Sequence, residues 1–326
     1  MYLASDKRYE KMEYRNCGKS GLKLPILSLG LWFNFGYKAN FENCLNMATT
    51  AFDNGITHFD IANNYGPPAG TAEEMFSKIL NKALGNYRDE LIISTKAGYY
   101  MWEGPYGEWG SRKYITASLD QSLKRLGLDY VDIFYSHRFD PNTPLEETML
   151  ALDNAVKQGK ALYVGISNYD YENTKKAVAI LKELKTPYVL NQLSYSMINR
   201  NNEKAFEACM EEGMGVISFS TLSQGLLTNK YLKGIPEDSR YKLDNQYMKS
   251  FFEDNLGKVK ELNYIAENRG QKLSQLALSW ALNNKALTST IIGASKPEQV
   301  LENIEVVNNW QLNDDEVKEI NNICNK

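Results

Sequence analysis

Apolar residues gather into eight short runs along the chain, and the stretches between them follow a different period. The runs Ile26–Trp32, Thr57–Asp60, Leu91–Lys96 and Tyr130–His137 are rich in β-branched and aromatic side chains, and Leu162–Asn168, Val189–Ser194, Gly215–Ser220 and Ser289–Ala294 continue the series. Short runs of this composition predict strands. Between them the apolar spacing is three or four. Ile115, Leu119, Leu123 and Leu126 share one helical face, and Leu273, Leu276, Ala277, Trp280 and Ala281 share another. Strand alternating with helix, with no linker rich in Pro, Gly or Ser, predicts a (β/α)8 barrel as a single domain over residues 1–326. Two smaller α/β domains and an open doubly wound sheet compete with it. The open sheet is disfavoured because no Gly-x-Gly-x-x-Gly follows any run.

Three segments fall outside the repeat. Tyr14–Leu24, with Gly18 and Gly21 between apolar ends, predicts a hairpin across the barrel floor. Tyr99–Lys113 and Leu222–Ser250 are expected to be long loops after the third and seventh strands. Loops of that length are mostly functional or disordered, and these should emerge on the same rim.

That rim is where the chemistry gathers. Asp60 ends one run with Tyr65 just beyond it, Lys96 ends the next, and His137, one of only two histidines, ends the one after. A parallel barrel brings these downstream ends together. Taken singly, each has a plainer use: Asp60 as a turn cap, Tyr65 as a packing aromatic, Lys96 as a solvated charge, His137 as a structural histidine. Their recurrence at equivalent places in successive repeats favours a shared site. A tyrosine titrates near 10 in water, and the Lys96 ammonium is expected to lower that value. Asp60 would hold Lys96, while His137 would donate a hydrogen bond to a carbonyl oxygen or pass a proton. Such a group forms a general acid aimed at an oxygen gaining negative charge, as a carbonyl does when it receives hydride. His58 has no such position and is expected to face the core or a neighbouring helix.

Composition removes several classes. With 43% hydrophobic residues, 24% charged residues and a formal net charge of −3, the chain has no global attraction for nucleic acid or anionic membranes. No apolar run is long enough to span a bilayer. The stretch Met1–Glu10 lacks the apolar core of a signal peptide, so a cytoplasmic protein is expected. Cys17, Cys44, Cys209 and Cys324 are scattered and far from histidine, so no metal centre is expected and the thiols read as buried or incidental.

The motifs Gly55-Ile-Thr-His-Phe-Asp60, Asn64-Tyr65-Gly66, Ser94-Thr-Lys96 and Ser118-Leu-Asp-Gln-Ser-Leu-Lys-Arg-Leu resemble those of the aldo-keto reductases. Tyr130-Val-Asp-Ile, Gly159-Lys-Ala-Leu-Tyr-Val-Gly-Ile-Ser-Asn168 and Gly225-Leu-Leu-Thr extend the likeness over nearly the whole chain. The resemblance implies an NADPH-dependent reduction of aldehydes or ketones, with Tyr65 as general acid and Asp60, Lys96 and His137 completing a tetrad. It assigns Ser167, Asn168 and Gln192 to the nicotinamide carboxamide, and Ser220 to Gly225 to the pyrophosphate. Trp32, Phe219, Leu222, Gln224, Gly293 and Ser295 join the cofactor set, with Lys230 and Arg240 as pyrophosphate clamps and Gln299, Glu302 and Asn303 around the adenine. Thr221 stands where relatives usually carry proline, and Asn229 where glycine is common. Pro297 suits the first turn of a helix, whose N-terminus beside Ser295 and Lys296 would make an anion site. Lys296 would then meet a 2′-phosphate, favouring NADPH over NADH.

Asn63-Asn-Tyr-Gly-Pro-Pro68, Gly98-Tyr-Tyr-Met-Trp102, Tyr135-Ser-His-Arg138 and Gly234-Ile-Pro-Glu-Asp-Ser-Arg240 narrow the resemblance to one branch of that family. Its bacterial members reduce L-glyceraldehyde 3-phosphate, and it is related to the voltage-gated potassium channel beta subunits. The branch implies a small aldehyde substrate, L-glyceraldehyde 3-phosphate or methylglyoxal among them, and a homo-oligomer, tetramer or octamer. Trp32, Tyr65, Tyr100, Trp102 and His137 would wall the pocket, with Arg112, Lys113 or Arg138 able to meet a phosphate. Two other readings stay open: a generalist aldehyde-detoxifying reductase, and a cofactor-sensing subunit. The channel subunits carry asparagine at the position of His137, which favours catalysis.

Overall fold

Alternation along the strands gives this chain two apolar cores, one inside a ring of strands and one between the ring and its helices. The computed structural model describes residues 2–232 and 246–325, the side chains of 246–249 excepted. A short antiparallel pair, β1 (Tyr14–Asn16) and β2 (Lys23–Pro25), precedes eight further strands. These are β3 (Leu27–Gly30), β4 (His58–Asp60), β5 (Ile92–Ala97), β6 (Val131–Ser136), β7 (Ala161–Ser167), β8 (Tyr188–Ser194), β9 (Gly215–Phe219) and β10 (Leu287–Ile292). They close in the order β10-β3-β4-β5-β6-β7-β8-β9, each neighbour parallel to the next. This is the expected (β/α)8 barrel, with strand ends shifted by a residue or two.

Six helices, α1 (Phe41–Asp53), α2 (Thr71–Ile79), α3 (Arg112–Leu126), α4 (Leu145–Lys157), α5 (Tyr171–Glu183) and α6 (Glu203–Glu212), return the chain between successive strands from β3 to β9. Helix α3 shows how sequence sets the ends. The Ser111 side chain accepts from the Tyr114 amide at its start, and Gly127 in the left-handed region stops it. Its buried face holds the predicted Ile115, Leu119, Leu123 and Leu126, with Tyr114 added. Two helices, α7 (Gln246–Asn268) and α8 (Leu273–Leu282), lead into β10, and α9 (Pro297–Ile304) and α10 (Asp314–Cys324) follow it. The predicted stripe on α8 proved too narrow: all its residues but Gln275 are buried, because it lies between α7 and β10.

The outer core joins Leu27, Leu29, Phe59, Ile93 and Val216 to the helix faces. The inner one collects Ile133, Tyr135, Leu190 and Ile217 with Cys17 and Leu24 from the hairpin, so β1 and β2 close the barrel floor as expected. Gly18 sits there at φ 57 against the Gly213 carbonyl, a place that any Cβ would strike. The Arg15 guanidinium fastens the hairpin by donating to the carbonyls of Leu282 and Leu287, both at 3.0 Å.

The other irregular segments are shorter than expected. The loop after β5 ends at Ser111, and among the described residues the stretch after β9 contains two single turns, Ser223–Gly225 and Asn229–Tyr231, before α7. All four cysteines are free, and burial pushes the Cys44 thiol up to about 11 and that of Cys17 up to about 12. Among the described residues no helix is long and apolar enough to cross a membrane.

Candidate active site

Ladder bonds carry the chain past the strand ends and fix the polar residues there. The amides of Ile61 and Asn63 donate to the carbonyls of Ser94 and Lys96, and the Tyr65 amide then closes a turn onto Ala62 O. Tyr65 is thereby folded back over the end of β5. The His137 amide donates to Ala97 O at 2.9 Å, which places its ring at the neighbouring corner.

Lys96 is fully buried, and all three ammonium protons are committed. Nζ donates to Asp60 Oδ2 at 2.7 Å, to Ile61 O at 2.7 Å and to the Tyr65 hydroxyl oxygen at 3.2 Å. Asp60 Oδ1 accepts from the Ser94 hydroxyl and from Gln192 Nε2, each at 2.9 Å, so the buried carboxylate is satisfied on both oxygens. Tyr65 therefore receives a hydrogen bond from Lys96 and keeps its own proton to give. The ring of His137 lies 5.8 Å from that of Tyr65, and Trp32 stands 6.5 Å away on another side. Asp60, Tyr65, Lys96 and His137 thus meet at one point of the rim.

The electrostatics differ from the expectation in one respect. Burial, then the charge of Asp60 and then Tyr99, raise the Tyr65 pKa well above 10, so the depression expected from Lys96 is reversed. The phenol is accordingly protonated, the form an acid needs. Burial lowers the pKa of Lys96, with Asp60 opposing. His137 is driven well below its ordinary value by burial and by the charges of Lys96 and Arg138, so its ring is neutral. Its Nδ1 is sealed with no partner. A neutral imidazole of this kind can orient an oxygen through Nε2–H while the phenol supplies the proton.

The residues assigned to a cofactor lie on the adjoining arc. Ser167 at the end of β7 and Gln192 within β8 are both buried, and Ser167 Oγ donates to Gln192 O at 3.0 Å. Asn168 Nδ2 reaches His137 O at 3.2 Å, and Gln192 reaches Asp60, so both amides touch the tetrad. Of six non-glycine residues with positive φ among those described, four, Asn168 (59°), Ser220 (57°), Ser223 (47°) and Gln224 (58°), belong to the assigned set. Each such conformation costs about 1–3 kcal/mol, and strain of this kind clusters at ligand clamps.

Phe219 ends β9 half-buried, Leu222 precedes the following turn, and Lys230 is exposed in the next. Thr221 bonds Thr290 Oγ1 at 2.6 Å and Ser218 Oγ at 3.1 Å, anchoring the loop after β9. Asn229 Oδ1 accepts from the Leu273 amide at 3.1 Å. Beyond β10 come Gly293, then Ser295, whose amide and hydroxyl both donate to Gln299 Oε1 at 2.8 and 3.0 Å. Lys296 is exposed at the start of α9, ahead of Pro297. Glu302 is engaged by Lys272 at 2.6 Å and by Ser274 at 3.2 Å, and Asn303 is buried beside it. Arg240 lies outside the described residues. Amides at one end of this arc, strained loops in the middle and a cation on a helix N-terminus at the other end fit an extended dinucleotide.

The substrate side departs more from the sequence reading. Trp32 and Tyr100 are half exposed. Trp102 packs on Tyr114 of α3 at 5.3 Å, and the Tyr114 hydroxyl donates to Tyr99 O. Trp102 thus supports the loop. Tyr99, which the sequence reading passed over, meets His137 edge-on at 4.6 Å. Arg138 lies 3.5 Å above Trp109 and 4.4 Å from Tyr99, with Nε on Gly98 O at 2.9 Å and a second nitrogen on Glu108 at 2.7 Å. It is already a clamp on the loop after β5. Arg112 and Lys113 are exposed on the first turn of α3.

A model of the Aldo/keto reductase family matches residues 26–325. The chain is 54% identical over 327 residues to L-glyceraldehyde 3-phosphate reductase of Escherichia coli O157:H7, covering 98% of this chain and 94% of that one. The protein of the same name from Escherichia coli strain K12 gives the same figures. A probable voltage-gated potassium channel subunit beta of Arabidopsis thaliana is 36% identical over 304 residues, 91% of each chain.

Proposed function

The chain belongs to the aldo/keto reductase family, and from that premise we propose that it reduces small aldehydes to alcohols with NADPH, L-glyceraldehyde 3-phosphate foremost and methylglyoxal beside it. The observation that carries this reading is the bonding of Tyr65: its oxygen accepts from Lys96, which leaves its own proton available to give. A bound reduced nicotinamide supplies the hydride. Tyr65 then donates its proton to the carbonyl oxygen as charge develops there, His137 orients that oxygen, and Lys96 stabilises the phenolate left behind. Asp60 keeps Lys96 in place. His137 favours this reading over a cofactor-sensing one.

The test is oxidation of NADPH by purified protein with L-glyceraldehyde 3-phosphate, methylglyoxal and butyraldehyde in parallel. A kcat/KM strongly favouring the phosphorylated aldehyde supports the specific reductase. Equal turnover of all three makes a generalist, and tight NADPH binding without turnover makes a sensor.

Cofactor choice has its own test. Lys296→Glu places an anion beside the proposed 2′-phosphate, so NADPH affinity is expected to fall at least about tenfold while NADH changes little. Titration of both nucleotides into the variant reads this directly, and equal losses would remove Lys296 from that role.

A further inference from the structure

A line of buried hydrogen bonds leaves the tetrad and runs down the inside of the barrel. His58, Ser28, Ser94 and Ser289 are each completely buried and come from β4, β3, β5 and β10. Ser289 Oγ lies 2.7 Å from Ser28 Oγ, and Ser28 Oγ lies 2.8 Å from His58 Nδ1. His58 Nε2 is 3.0 Å from Ser94 Oγ, which donates to Asp60 Oδ1 at 2.9 Å.

The direction of every bond follows from its last member. A carboxylate only accepts, so the hydroxyl proton of Ser94 goes to Asp60. Ser94 Oγ must then accept from His58 Nε2–H, which leaves Nδ1 with a lone pair. Nδ1 accepts from Ser28, and Ser28 accepts from Ser289. The neutral ring this requires agrees with burial, which pushes the His58 pKa down to about 4 against the charge of Asp60. All four links point the same way, toward the carboxylate that holds Lys96.

We propose that His58 is a positioning residue: acting through Ser94, it draws charge off Asp60 and so leaves more of the Lys96 charge available to Tyr65. This rests on the proton-donating role given to Tyr65 above. Bonds in such a chain polarise one another, and the low dielectric of the barrel interior keeps the effect unscreened. Asp60 and Lys96 face His58, Asp60 and Glu73 face Lys96, and Asp60 and Tyr99 face Tyr65. Tyr135, on β6, faces Asp60, and its ring lies 5.9 Å from the Lys96 ammonium. Lys96 and Arg138 face His137.

Removing the line returns charge to Asp60, which neutralises Lys96 more fully and makes Tyr65 hold its proton harder. The alkaline limb of the kcat profile should therefore move to higher pH in His58→Phe. Its kcat at neutral pH should fall roughly threefold to tenfold, with KM for the cofactor unchanged. Ser94→Ala should reproduce the shift, and His58→Phe added to it should do nothing more. Additive effects, or an unmoved profile, would overturn the proposal. Should His58→Phe fail to fold, His58→Leu, which likewise has nothing to donate to Ser94, takes its place in the same cycle.

A second readout needs no turnover. The chain has two histidines, so nitrogen-15 histidine labelling gives two rings to assign. His58 is expected as the Nε2–H tautomer, unchanging between about pH 5 and 8, with that preference weakened in Ser28→Ala. An Nδ1–H tautomer would reverse the line and sink the proposal, whatever the enzyme's activity. Loss of turnover in the wild type would instead count against the reductase reading alone.

Discussion

Tyr65→Phe is expected to bind the cofactor as the wild type does and to lose about a hundredfold to ten-thousandfold in kcat, the range general acid catalysis supplies. The reason lies in what the substitution spares. The phenyl ring keeps its contacts with Trp32 and His137. The turn that places it is made by backbone, through the Tyr65 amide and Ala62 O. Only the oxygen goes, and with it the proton and the one acceptor that Lys96 has toward the rim. Cofactor affinity measured by fluorescence titration separates this from a collapsed site. A variant reducing aldehydes at the wild-type rate would mean the proton comes from elsewhere.

The second large effect concerns stability. Lys96→Met should cost about 3–5 kcal/mol in chemical denaturation, because it strands a buried carboxylate whose Oδ2 loses its partner. The lysine is not the stabilising element in itself, since taking both ions out of water offsets most of their attraction. Asp60→Asn in the same chain should therefore restore much of the loss, the amide still able to accept from Ser94. Activity would stay absent in both. If the double variant were no more stable than the single one, the deficit would come from the lost packing of the lysine stem.

Strands were legible because a strand buried on both faces writes itself as an apolar run, and the tetrad because polar residues terminate three such runs. Helix α8 was misjudged for the converse reason: burial all round leaves no polar face to set its stripe apart. The role of Arg138 could not be read, since its partners Trp109 and Glu108 stand on an irregular loop with no period. For Tyr65 the contact with Lys96 was legible, but the sign of the pKa shift was set by burial, a property of the whole surround, with Asp60 and Tyr99 adding to it. Parity did hold a signal for His58. It stands two residues before Asp60, as Ser94 stands two before Lys96, so His58 and Ser94 face inward with the carboxylate and the ammonium. Without the barrel's closure nothing said that Ser28 and Ser289 would complete the line.

That closure has a cost during synthesis. β3 finds one neighbour early, in β4, but its other edge belongs to β10, and Ser28 meets Ser289 across 261 positions of chain. A ribosome must deliver almost everything before the seam can form, while the strands bearing Asp60, Lys96 and His137 are already free to pair. In that interval the open edge of β3 is a template for other nascent chains. Its four residues, entered from Pro25 and the hairpin at β2, offer such chains little length to grip. By the general rule that short edges pair poorly, brevity in the first barrel strand works against aggregation of the half-made chain.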